Sequence, residues 1–145
     1  MATAARAIII ENGQILVMKR IKSGAPYYTL VGGRIDEGES PEDAVTREVR
    51  EETGFRVTSA KRVFTEKHDA PYNDQIIFLC SVAAHGTLEV QPGSEEHFLN
   101  RIDINVHQPE WVILKHFSRL PFSTMKLQKA ISESLEKGFP EDPIA

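Results

Sequence analysis

The sequence predicts a single mixed α/β domain, and three observations carry that prediction. A β-hairpin pattern opens the chain, one sharply punctuated helix follows, and strand-like segments then lead to an amphipathic C-terminal helix. The length of 145 residues suits one hydrophobic core. With neither repeat nor linker, residues 1–145 are expected to form one domain, and residues 138–145 a loose tail.

The elements follow in order. In "RAIIIENGQILVMKR" two apolar runs flank Asn12-Gly13, a pair suited to the positive φ angles of a tight hairpin turn. "SGAPYY", residues 23–28, reads as a loop by its Gly and Pro; "YTLVGG" reads as a short strand ending at Gly32-Gly33, and "RIDEGES" as another loop. Ser40 then caps a helix, Pro41 fits its first position, Asp43 completes a capping box, and Gly54 marks its end. "FRVTSAKRVFTE" and "DQIIFLCSVAA" are rich in β-branched and aromatic residues and predict two strands. Residues 85–109 read as mostly loop, "EWVILKHF" as a last strand with Trp111 in the core, and "STMKLQKAISESLEKG" as a helix with Met125, Leu127, Ile131 and Leu135 on its apolar face.

Composition excludes several classes. Hydrophobic residues at 41% and charged residues at 26% are ordinary for a globular chain. There is no apolar run of spanning length and no signal-peptide pattern, so no membrane partner is expected. The single cysteine, Cys80, cannot form an internal disulfide and sits in an apolar strand, which fits a cytoplasmic location. No basic run points to duplex nucleic acid, and no histidine pair has the helical spacing of a zinc site.

The acid is concentrated instead. Residues 36–52 hold eight carboxylates against Arg47 and Arg50, a local charge of −6 in a chain whose total is −4. A helix advances about 100° per residue, so Glu52 and Glu51 fall about 40° and 60° to either side of Glu48. Ala44, Val45 and Val49 lie on that same side, while Asp43, Thr46 and Arg50 point away. A solvated charge run would place its carboxylates opposite the apolar stripe; these overlap it. Partly buried carboxylates that repel one another need a compensating cation. Arg47 and Arg50 compensate one or two of them at most, and a hard divalent ion such as Mg²⁺ or Mn²⁺ answers the rest with oxygen ligands.

From Gly33 to Phe55, "GRIDEGESPEDAVTREVREETGF" resembles the signature of the Nudix hydrolase family: G, five residues, E, seven residues, then R-E-U-x-E-E-x-G-U, where U is a bulky aliphatic residue. Gly33, Glu39, Arg47, Glu48, Val49, Glu51, Glu52 and Gly54 all fall in place; Phe55 departs by being aromatic, which alters packing more than chemistry. The resemblance implies an α/β/α sandwich around mixed β-sheet. It also implies a metal-dependent pyrophosphohydrolase that cleaves a nucleoside diphosphate linked to another moiety, such as a nucleoside triphosphate or a nucleotide-sugar-like compound, by water attack at phosphorus.

Carried over by position, the resemblance makes Glu48, Glu51 and Glu52 the Mg²⁺ or Mn²⁺ ligands, joined by a backbone carbonyl at Gly32 or Gly33. Arg47 orients a box glutamate, and Glu39 supports the loop-helix-loop or sits in an outer metal shell. The proton acceptor is Glu51 or Glu52, or else a downstream loop carboxylate, Glu95 or Glu96. Lys19, Arg20 and Arg34 are candidates for phosphate contact, and Tyr27 and Tyr28 for stacking on a base. Family members selective for ADP-ribose carry a proline after the box and those selective for dinucleoside polyphosphates a tyrosine; Pro71 and Tyr72 supply both marks, so they leave the substrate open. The expected partner is a small nucleotide, and the expected state a monomer or homodimer. The alternative is a non-catalytic Nudix-fold nucleotide-binding or regulatory module, which usually has a damaged box.

Overall fold

A computed structural model describes residues 3–22, 25–67, 74–83 and 105–144. Strands β1 (Ala4–Glu11) and β2 (Gln14–Lys22) form the predicted hairpin, with Asn12 at φ 50° and Gly13 at φ 75° in its turn. β3 (Ala25–Thr29), β4 (Val31–Arg34), α1 (Pro41–Thr53), β5 (Arg56–Glu66), β6 (Gln75–Ala83), β7 (Asn105–Ile113), a short 3-10 helix (Leu114–Arg119) and α2 (Met125–Lys137) follow. The strands make a seven-stranded mixed sheet whose path runs β3-β2-β1-β6-β5, with β4 on β1 and β7 on β2. β1 and β6 run parallel; the other pairs are antiparallel.

The hairpin opens early, and this positions the site. β1 and β2 pair only at Ile10–Ile15 and Glu11–Gln14. Beyond those positions β4 takes β1 over Ala4–Ala7, and β3 takes β2 over Met18–Lys22. Side chains alternate along each strand, so two cores form. Ala5, Ala7, Ile9, Leu16, Val31 and Phe78 pack with Ala44, Val45 and Val49 of α1. Ile8, Ile15, Val17, Leu30, Val63 and Ile77 pack with Leu127 and Ile131 of α2 and with Phe117 and Phe122.

The described residues depart from the sequence reading in several places. Residues 25–28 are strand, not loop, because pairing to β2 overrides the local turn signal of Pro26. The last strand begins at Asn105, upstream of "EWVILKHF", and ends at Ile113; its Pro109 is tolerated because, among the described residues, β7 pairs with β2 alone. Met125 is 81% exposed and does not belong to the buried face of α2. The tail is tied down through Ile144: its N–H donates to the Val63 carbonyl at 3.0 Å, its carbonyl accepts from Thr65 at 2.8 Å, and Phe139 packs on Phe64. Trp111 is only partly buried, stacked at a tilt 6.1 Å from Phe55. No helix among the described residues is long and apolar enough to cross a membrane.

Candidate active site on helix α1

Local signals place α1. Ser40 Oγ accepts from the Asp43 N–H at 3.0 Å, Pro41 opens the helix, and Gly54 closes it at φ 81° with its N–H bonded to the Arg50 carbonyl. The helix buries Ala44, Val45 and Val49, and with them Glu48 at 7% exposure and Glu52 at 0%. Burying each valine contributes about 1.5–3 kcal/mol. Desolvating a carboxylate costs several kcal/mol unless it is matched, so the apolar contacts alone do not explain this face. The match comes from two sources.

The first is Arg47. Its Nε and Nη2 donate to the two oxygens of Glu39 at 2.9 and 3.0 Å, and its Nη1 donates to Glu48 Oε1 at 3.0 Å and Glu51 Oε2 at 3.2 Å. Nη2 also reaches the Arg34 carbonyl at 3.1 Å. The Glu39 hydrogen bonds, followed by the charges of Glu48, Glu39 and Glu51, push the guanidinium further into its protonated form. The same contact, joined by the Asp36 N–H at 3.0 Å, holds the Glu39 carboxyl below its ordinary value. Glu39 thus ties the loop to the helix.

The second is the outer edge of β4, which among the described residues pairs with β1 alone. The Gly32 N–H donates to Glu52 Oε1 at 2.7 Å. Ladder alternation therefore turns the backbone groups of Gly32 away from β1, where the N–H meets Glu52 and the carbonyl accepts from Arg6 Nη1, and those of Gly33 toward β1, where Gly33 pairs with Ala5. This divides the two glycines by role. Gly32 meets the site through its backbone. Gly33 meets it through the side chain it lacks, since a Cβ there would lie 2.8 Å from the Glu48 carboxylate. Gly32 adopts φ 145°, and a Cβ on it would run into the Ala5 carbonyl.

Glu51 is the open member of the triad, its side chain 38% exposed against 9% for Glu48. Among the described residues, no group of three or more His, Cys, Asp or Glu side chains is already gathered as a metal site. Arg47 occupies one oxygen of Glu48 and one of Glu51 and supplies the positive charge that the cluster needs. The donor set still fits a hard dication: three carboxylates and an edge carbonyl, with the void at Gly33 accommodating Glu48.

The other candidates separate by strand face. Arg20 shares the face of Leu16, which belongs to the α1-side core. Arg20 Nε donates to Thr29 Oγ1 at 2.9 Å, and Nη1 lies 2.7 Å from Nε2 of the buried His107, which accepts only as the neutral Nδ1–H tautomer. Tyr27 pairs opposite Arg20 and shares that face. Tyr28 does not: its ring packs with the α2-side core, opposite Lys19, while its backbone bonds to Pro121 and Ser123. Arg34 contributes its carbonyl to Arg47, and its side chain is exposed. Glu95, Glu96, Pro71 and Tyr72 lie outside the described residues. His107 was missed because residues 85–109 read as loop, and Thr29, although in a predicted strand, because its pairing with β2 beside Arg20 is non-local. Cys80 is buried, which pushes its thiol up to about 12 and leaves it inert.

A helix with this carboxylate face, under a glycine edge in a mixed sheet, defines a class. The NUDIX domain model matches residues 1–123, and the chain belongs to that family. A Bacillus subtilis (strain 168) relative is 35% identical over 75 residues, spanning 52% of this chain and 49% of its own length. The Proteus vulgaris 8-oxo-dGTP diphosphatase is 33% identical over 70 residues, spanning 47% of this chain and 62% of its own. The chain thus covers less than two thirds of either relative. The crystal structure of an ADP-ribose pyrophosphatase from Streptococcus suis 89-1591 superposes with a TM-score of 0.67, at 22% identity, covering 99% of this chain and 98% of that one, and so shares the fold.

Proposed function

We propose that this chain is a metal-dependent pyrophosphohydrolase acting on a nucleoside diphosphate linked to another moiety, a nucleoside triphosphate or a nucleotide-sugar-like compound. One observation carries the reading: Glu48, Glu51 and Glu52 share a helix face on which two are buried and the third stands open. Glu48, Glu51, Glu52 and a backbone carbonyl at Gly32 or Gly33 would hold Mg²⁺ or Mn²⁺. When bound, the ion would offset charge on the phosphate oxygens and acidify the attacking water.

The remaining work belongs to the chain itself. Arg47 holds Glu48 and Glu51 in register and is anchored at its other end by Glu39. The Gly32 N–H fixes Glu52. Glu51, the most accessible of the three, takes the proton from water as a bond to phosphorus forms and the bridging P–O bond breaks. Arg20, with His107 and Thr29 behind it and Tyr27 beside it, offers donors and an aromatic face to the nucleotide.

The test is a panel of nucleoside triphosphates, ADP-ribose and dinucleoside polyphosphates, each with Mg²⁺ and with Mn²⁺. The 8-oxo-dGTP activity named for the Proteus vulgaris relative puts purine triphosphates first. Metal-dependent release of a nucleoside monophosphate is expected. If Mg²⁺ raises the melting temperature while no compound is cleaved, the non-catalytic binding module replaces this reading.

A further inference from the structure

An edge strand leaves alternate N–H and C=O groups without ladder partners. On β4, side chains of opposite charge take them. Glu52, an acceptor, holds the Gly32 N–H at 2.7 Å. Arg6, a donor reaching from β1, holds the Gly32 carbonyl at 2.9 Å and the Leu30 carbonyl at 3.3 Å through Nη1. Both polar groups of Gly32 are therefore fixed by side chains, one negative and one positive. This matters because Gly32, at φ 145° and with no Cβ, has little intrinsic preference to hold its peptide planes in place.

Arg6 is itself held. Its Nε donates to Gln75 Oε1 at 3.1 Å, and Gln75 Nε2 donates to Glu66 Oε1 at 3.3 Å. Glu66, only 6% exposed, accepts from Thr124 Oγ1 at 2.6 Å, and Thr124 is the N-cap of α2. Donors and acceptors alternate without conflict from the cap of α2 to the glycine edge beneath α1.

We propose that Arg6 is a positioning residue for the reaction: anchored by Gln75, Glu66 and Thr124, it fixes the carbonyls of Leu30 and Gly32 and so aims the Gly32 N–H at Glu52. The proposal rests on the hydrolase reading of the α1 site. Arg6 is a step removed from the carboxylates: it holds the Leu30–Val31 and Gly32–Gly33 peptides, which flank the Val31–Gly32 peptide that carries the N–H. Loss of its guanidinium frees both flanking peptides, the Val31–Gly32 peptide between them can then rotate, and Glu52 loses the hydrogen bond that orients it.

The experiment uses the full chain, ¹⁵N-labelled, as wild type, Arg6→Met, Arg6→Lys and Gln75→Leu. In Arg6→Met, the Gly32 amide proton is expected to move upfield and exchange faster with solvent. Turnover of the best substrate is expected to fall roughly 10–100-fold in kcat with KM within about twofold, the range seen when outer partners of a site are removed. Arg6→Lys keeps the charge but not the fork, and recovers part of both signals. Gln75→Leu leaves Arg6 in place with a weakened anchor, shows a smaller shift of the same sign, and carries the test should Arg6→Met fold poorly. A Gly32 amide signal unmoved in both Arg6→Met and Gln75→Leu overturns the proposal, as does a rise in KM with kcat intact. A wild type that cleaves nothing in the panel defeats the hydrolase reading, yet the Gly32 spectrum still decides whether Arg6 fixes the peptide.

Discussion

Helices α1 and α2 are written in the same grammar and serve opposite ends. Each has 13 residues, a hydroxyl N-cap whose oxygen accepts from the residue three positions on, and a glycine stop. Each buries an apolar stripe against one face of the sheet. They differ in the polar groups taken inside. α2 buries neutral ones, already satisfied: Gln128 Nε2 donates to the Phe117 and Leu120 carbonyls at 2.8 and 2.9 Å, and Ser134 Oγ donates to the Ala130 carbonyl at 2.9 Å. α1 buries Glu48 and Glu52, two anions whose desolvation requires a guanidinium and an edge N–H to offset it. Stability alone does not ask for that arrangement, since an apolar pair of similar volume would hold the helix as well. The comparison teaches that caps and stripe make a helix, and that the buried charge marks its work.

The largest effect that separates the helices is on turnover. Glu52→Gln keeps the size of the side chain and an oxygen that accepts from Gly32, so the melting temperature is expected to stay close to that of wild type. Removing the charge is expected to lower metal-dependent kcat by about 100-fold or more, the scale of a lost charged group in an electrostatic site. Steady-state rates with Mg²⁺, read beside a thermal melt, check both halves. A rate within threefold of wild type would erase the functional distinction between α1 and α2.

On the opposite face the expectation inverts. Ile131, fully buried in α2, is replaced by alanine at a cost of about 2–5 kcal/mol in folding stability. Turnover per folded molecule is expected to stay within about twofold, since the change lies in the other core. Urea unfolding gives the first number and activity at a stabilising temperature the second. A large loss of kcat in protein shown to be folded would mean that α2 shares the chemistry, and the contrast would narrow to one of degree.

What could be read in advance divides along the same physical line. Asn12-Gly13 and the Ser40, Pro41 and Gly54 punctuation act within a few residues, so the hairpin and α1 were legible from sequence. So was the shared face of Glu48, Glu51 and Glu52, because helical geometry is fixed by spacing. Non-local pairing was not legible. β3 forms on β2 despite Pro26, β7 runs through Pro109 at an edge, and Ile144 returns to Val63 and Thr65. The choice between Tyr27 and Tyr28 turned on strand register, where a one-residue difference reverses the face. Arg6 and His107 contribute through contacts across 26 and 87 positions, for which no local pattern exists.

The smallest expected effect is in pH dependence, and it tests whether the α1 region is held by charge. The Glu39 carboxyl lies below its ordinary value of 4.5, chiefly because Arg47 donates to it and secondarily because the Asp36 N–H does. In the unfolded chain it returns to that ordinary value. Between the two, the unfolded state binds more protons, so stability rises with pH. The contribution of Glu39 is therefore fully present above 4.5 and is lost as pH falls through the lowered folded value. Glu42 is lowered likewise, by its hydrogen bonds from Arg62, but it is common to both proteins and cancels in the difference. Glu39→Gln is expected to lower the melting temperature by roughly 2–4 °C at neutral pH, with the gap to wild type closing as the solution is acidified. Thermal melts of both proteins across the acid range check this. A gap that stays constant into strong acid would assign the role of Glu39 to packing, and Arg47 would then hold the carboxylate face without needing a charged anchor behind it.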